Sequence, residues 1–168
     1  QVIVEQNNYL RRLEAGELEV RYLRNHADLT PETLVADSLL ATILEPHRGK
    51  VVYADFWGSW CGPCKEQLKH MQAVKDELKG KDVVYLYFAN NTPEDVRQVI
   101  VKKLGLYGDN IFHYNLPYEQ QESIERLLGV TRFPTFMLFD KNGKLVSSDA
   151  PFPQYLDALI NEINRCLE

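Results

Sequence analysis

The run VVYADFW, residues 51–57, restricts the fold more than any other part of the chain. Side chains of a strand alternate between its two faces. That sets Val51, Tyr53 and Trp57 on one side and Val52, Ala54 and Phe56 on the other. Both sides are apolar, as in a central strand covered above and below. DVVYLYFA, Asp82 to Ala89, repeats the pattern. A chain with two such strands needs helices to cover both faces of a sheet.

The remaining segments supply those helices. A helix is predicted from about Cys61, with Leu68, Met71, Val74 and Leu78 along its inner face. NTPEDVRQVIVKKLG carries strong boundary signals: Thr92 as cap, Pro93 at the first position, acids in the first turn, lysines in the last, and Gly105 at the end. IFHYN reads as a short strand, and QQESIERLLG as a helix closed by Gly129. FPTFMLFDKNGKLVS is a hairpin, with Phe136–Phe139 and Lys144–Ser147 around a turn at Asp140–Gly143. The last helix starts near Pro153, with Leu156, Leu159, Ile160, Ile163 and Leu167 inward. Strands alternating with helices predict an α/β sandwich, and the terminal hairpin makes its sheet mixed.

Residues 1–48 look helical and carry no chemical motif. YLRRLEAGELEVRYLR has the composition of an exposed helix. In LTPETLVADSLLATIL, Thr30 is placed to cap a helix and Pro31 suits its first turn, with Leu34, Leu39, Leu40 and Ile43 as an apolar stripe. These residues are read as a helical N-terminal extension or linker remnant ahead of a domain at 49–168. The chain begins with Gln1, so it is read as a mature form or an excised fragment. Any signal peptide or membrane tether would lie upstream. The net charge is −5 and the basic residues are scattered, which gives no reason to expect a nucleic-acid partner.

Two of the three cysteines, Cys61 and Cys64, are separated only by Gly62 and Pro63. A structural zinc site needs four ligands, commonly from two close pairs, and the chain offers no second pair. A bridge closing so short a loop removes little chain entropy, so a mere staple contributes little. A redox role suits the surroundings. Where a strand ends and a helix begins, Cys61 faces free backbone N–H groups and the positive end of the helix dipole, which favour the nucleophilic thiolate. Cys64, one turn further in, is shielded and placed to resolve a mixed disulfide formed by Cys61. Cys166 is expected to be buried and inert.

Asp55 stands alone among apolar strand residues, six positions before Cys61. Desolvation should raise its pKa and make it a proton acceptor near neutrality, unless it is a structural acid bonded to backbone. Pro134 precedes an apolar strand in RFPTF, where an ordinary trans proline opening that strand is one reading.

ADFWGSWCGPCK resembles the active-site segment of the thioredoxin superfamily. The strand, Trp60, the Gly62–Pro63 spacer and Lys65 fall where that family has them, and RFPTF resembles its proline loop. The resemblance covers roughly 49–168. It implies a thioredoxin-like three-layer α/β/α sandwich with a mixed central sheet. It also implies a cis Phe133–Pro134 bond packed against the cysteines, and Asp55 serving Cys64 in proton transfer. Trp60, Gly62, Pro63, Phe133 and Pro134 would shape the substrate groove. Tyr85 and Tyr87 stand where the family has a lysine near the Asp.

Seventy positions separate Cys64 from Pro134, more than a plain thioredoxin needs. The surplus is assigned to an inserted helix–strand segment at Thr92–Asn115, which resembles the TlpA/ResA-like group of extracytoplasmic thiol–disulfide oxidoreductases. That resemblance implies a periplasmic or cell-envelope location, disulfide-containing protein substrates, an upstream thiol reductant protein, a monomer, and no metal or organic cofactor. Some relatives that reduce apocytochrome c carry an acid where this chain has Asn90–Asn91. A peroxiredoxin-like peroxidase is the runner-up enzyme, but Gly58-Ser59-Trp60 precedes Cys61 in place of the T-x-x-C context. A non-enzymatic thioredoxin-fold binding module usually loses one cysteine, and both are kept here.

Overall fold

In this computed structural model, Tyr22 and residues 30–168 are described. The helical reading of YLRRLEAGELEVRYLR lies, Tyr22 apart, outside the described residues.

The first helix, α1 (Pro31–Leu44), begins with a reciprocal capping box. Thr30 accepts from the Thr33 backbone N–H, and Thr33 answers to the Thr30 N–H. Strand β1 (Val51–Trp57) is buried along its whole length. It leads into α2 (Gly62–Leu68) and α3 (Met71–Glu77), then β2 (Val83–Ala89), also wholly buried. Helix α4 (Glu94–Leu104) and strand β3 (Ile111–Tyr114) form the inserted segment. Helix α5 (Tyr118–Leu128), the hairpin of β4 (Thr135–Phe139) and β5 (Leu145–Ser147), and α6 (Leu156–Leu167) complete the chain.

The five strands lie in the order β3-β2-β1-β4-β5. β1, β2 and β3 are parallel, whereas β4 runs antiparallel to both β1 and β5. The alternation of β1 divides the core. Val51, Tyr53 and Trp57 pack with residues of α2, α3 and α6 and with both bonded cysteines. Val52, Ala54 and Phe56 pack with Leu40 of α1 and with Ile124, Leu127 and Leu128 of α5. The result is a three-layer α/β/α sandwich with a mixed sheet.

Local signals misplace three boundaries, the simplest being the last helix, which starts at Leu156 rather than near Pro153. The helix after Cys61 is interrupted at Lys69–His70, where Lys69 and His70 donate back to Glu66 and Gln67 in tight three-residue bonds. The Gln67 side chain turns inward there to meet Gln154. Helix α4 is not capped by Thr92, because the Thr92 hydroxyl is engaged by Ser59 and Asn90 instead. Pro93 takes the cap position. Gly105 and Gly129 do close their helices in the left-handed conformation, with φ of 64° and 74°. Among the described residues, no helix is long and apolar enough to cross a membrane.

Leu40 of α1 is fully enclosed between α1 and the sheet. Leu40→Ala is expected to cost about 2–5 kcal/mol in urea unfolding, as for other buried leucines. A loss below about 1 kcal/mol would show that α1 does not share the sheet's core.

Candidate active site

Strand β1 ends at Trp57, and four residues later Cys61 caps α2. Its Sγ accepts the Cys64 N–H at 3.2 Å, meeting one of the free donors of the helix start. Cys61 and Cys64 are joined as a disulfide. Cys61 is the more accessible of the two, at 5% against 1% exposure. Gly62 and Pro63 are exposed beside them.

Trp60 and Phe133 flank the pair. Trp60 is 55% exposed and meets Phe133 edge-on, with ring centroids 5.3 Å apart. The Phe133–Pro134 bond is cis, Pro134 is buried, and Phe133 packs on the core cluster that contains both cysteines.

The turn after β2 holds the loop 58–60. Asn90 donates its backbone N–H to Trp57 O at 2.7 Å, and its own carbonyl accepts the Trp60 indole N–H at 3.0 Å. Thr92 Oγ1 accepts from Ser59 N and donates to Asn90 O, each at 2.9 Å. Gly58 is the only residue type that fits its place. A Cβ there would lie 2.6 Å from Trp60 Cε2 and 3.0 Å from Asn90 O. Sequence reasoning missed Gly58, Asn90 and this use of Thr92, because their partners lie across the fold. A glycine directly before the Ser59–Trp60 corner was the one available signal. A cleft opens beyond this turn, lined in part by Asn91, Thr92, Asn115, Tyr118 and Gln121.

Asp55 is 2% exposed, and neither carboxyl oxygen has a hydrogen-bond partner among the described residues, so no backbone bond to it is seen there. Burial pushes its pKa well above the ordinary carboxylate value. Its register neighbours are Tyr87 on β2 and Phe136 on β4, and Tyr87 in turn faces His113 on β3. Tyr87 and His113 stack at 4.9 Å. The Tyr87 hydroxyl and His113 Nδ1 are also buried without hydrogen-bond partners among the described residues. His113 Nε2 donates to Leu106 O at 2.6 Å, and burial lowers the imidazole pKa. Three polar side chains thus share one row on the cysteine side of the sheet.

Cys166 is half-buried rather than buried, and desolvation raises its thiol pKa. Among the described residues, no group of three or more His, Cys, Asp or Glu side chains is placed to hold a metal ion.

A thioredoxin-like family profile matches residues 49–145, more than half of the chain. The chain belongs to this thioredoxin-like family. It is 28% identical over 102 residues to the thiol-disulfide oxidoreductase ResA of Geobacillus thermodenitrificans, a match covering 61% of this chain and 55% of that one. The chain spans about half the length of this relative and of a second ResA, from Bacillus thuringiensis. Among solved structures, the thioredoxin domain of a thiol-disulfide oxidoreductase from Bacteroides vulgatus superposes with a TM-score of 0.63 at 20% identity, covering 74% of this chain and 84% of that one. A secreted thiol-disulfide isomerase from Corynebacterium glutamicum gives 0.56 at 23% identity, covering 72% and 75%. At these identities the two structural likenesses are of fold alone.

The raised pKa of Asp55 carries a stability signature. The native state holds a proton that the unfolded chain releases above about pH 4, so stability falls as pH rises from there toward the native pKa. Asp55→Asn has no charge to bury and should escape that fall. Its advantage over the wild type should widen by up to about 1.4 kcal/mol per pH unit in urea unfolding as pH rises above about 4. Parallel stability curves would contradict a desolvated acid.

Proposed function

We propose that this domain is a thiol–disulfide oxidoreductase that reduces protein disulfides through the Cys61–Cys64 pair. The observation that carries the reading is the pair itself: bonded, at the start of α2, with the outer sulfur accepting a backbone N–H. A donor at that sulfur favours thiolate once the bond is opened.

In the proposed cycle the Cys61 thiolate attacks one sulfur of a substrate disulfide. A mixed disulfide forms, and the first substrate thiolate leaves and takes a proton from water. Cys64 then gives its thiol proton to the Asp55 carboxylate, and its sulfur attacks Cys61 Sγ. The second substrate thiolate leaves, and two electrons have passed to the substrate. The pair is again a disulfide and Asp55 is protonated, the state that its burial favours. An upstream dithiol protein reverses the chemistry on the enzyme, with Asp55 returning its proton to the departing Cys64 sulfur.

Trp60, Gly62, Pro63, Phe133 and Pro134 form the groove in this reading. Backbone before a proline whose ring removes one N–H is suited to pair with an extended peptide. Residues 49–168 form the redox domain, with residues 1–48 as its extension. Similarity to ResA supports a periplasmic or cell-envelope location. The protein acts as a monomer and uses neither metal nor organic cofactor. Nothing observed favours the peroxidase or the binding-module reading.

With dithiothreitol as donor, the protein should accelerate insulin-disulfide reduction. Cys61→Ser should fall to the uncatalysed rate, and Cys64→Ser should accumulate a mixed disulfide. No acceleration by the wild type, or an unimpaired Cys61→Ser, would overturn the reading.

A further inference from the structure

Glu125 is an acid on the core side of α5, 7% exposed between the buried Ile124 and Leu127. A helix that needed only to cover the sheet would have no use for a carboxylate there, because burying one is costly unless it is well hydrogen-bonded. Its partners among the described residues are amides rather than cations. Asn90 Nδ2 lies 2.9 Å from both carboxylate oxygens, and Gln121 Nε2 lies 3.0 Å from Oε2. A carboxylate only accepts, so the Asn90 side chain must present its NH2 here and its orientation is set.

Asn90 is also where the active-site loop is tied. Its backbone binds Trp57 O and the Trp60 indole, and through Thr92 it holds Ser59. Asn91, next in the chain, sits at φ 41°, a left-handed conformation uncommon outside glycine. The turn is held by the Asn90–Trp57 backbone bond together with side-chain anchors. Glu125 provides that anchor from a helix on the opposite face of the sheet from the cysteines.

We propose that Glu125 is a positioning residue for the redox site: through Asn90 it sets the pose of Trp60 beside Cys61, and with it the affinity for polypeptide disulfides over small ones. The inference rests on the redox reading above. Trp60 is half-exposed and lies edge-on to Phe133, so an extended chain crossing Cys61 must touch both rings. A small disulfide need reach only the sulfur.

The test compares the wild-type chain, Glu125→Gln, and the exchange variant Asn90→Asp with Glu125→Gln. The single variant removes the charge and one of the two acceptor oxygens that Asn90 and Gln121 share, whereas the exchange again sets a carboxylate against an amide. Three quantities are read: the Trp60 indole N–H resonance, KM and kcat for insulin, and the rate with oxidised glutathione. Glu125→Gln should shift the Trp60 resonance and raise the insulin KM about tenfold, the scale of one lost hydrogen bond to a buried charge, with kcat and the glutathione rate unchanged. The exchange should return the resonance and KM to near wild type. An unmoved resonance with a wild-type KM overturns the proposal, as does a folded exchange variant no better than the single one. If Glu125→Gln does not fold, the exchange variant decides alone. Failure of both to fold would make Glu125 a purely structural acid and also overturns it. A wild-type chain without disulfide reductase activity would remove the redox reading but leave the indole comparison intact.

Discussion

The pairing of β1 on both of its edges is the constraint on which the rest depends. Seven residues, Val51 to Trp57, lie in register with β2 on one side, and five of them with β4 on the other. This leaves β1 no freedom to slide, since a one-residue slip would exchange its two faces. Asp55 is therefore held among apolar groups, and the chain is delivered to Cys61 at a fixed height above the sheet. The cis proline loop, which opens β4, and the Asn90 turn, which closes β2, reach the same end of the sheet because both strands are β1's partners.

Two kinds of polar burial meet at that end. Glu125 is buried with its hydrogen bonds satisfied, and it fixes the turn that carries Trp60. Among the described residues Asp55 has no hydrogen bond satisfied, and the same holds for the Tyr87 hydroxyl and His113 Nδ1 in its row. Satisfied groups stiffen a site, whereas unsatisfied ones raise the energy of a charged state. In the proposed cycle, the rigid groove keeps the sulfurs aligned while Asp55 takes up and returns one proton.

Much of this was legible in the sequence because its signals are local. An apolar alternation on both faces marks β1, a lone acid within it marks Asp55, and two cysteines at a strand–helix junction mark the redox pair. The cap at Thr30 and the glycine stops at Gly105 and Gly129 depend on neighbours within a turn. What escaped depends on distant partners. Thr92 has every local mark of a helix cap, yet Ser59, thirty-three positions earlier, takes its hydroxyl. Glu125 reads as an ordinary surface acid until the end of β2 is brought against α5. Gln67 interrupts a predicted continuous helix by turning toward Gln154.

The central claim is that Cys61 is the attacking sulfur and Cys64 the shielded one. Iodoacetamide labelling of the reduced protein, followed by peptide mass spectrometry across pH, tests it most directly. The account predicts that Cys61 is modified first, with a half-maximal rate at a pH below the ~8.5 of a free cysteine. Modification of Cys64 first, or a Cys61 midpoint at or above that of a free thiol, would contradict it.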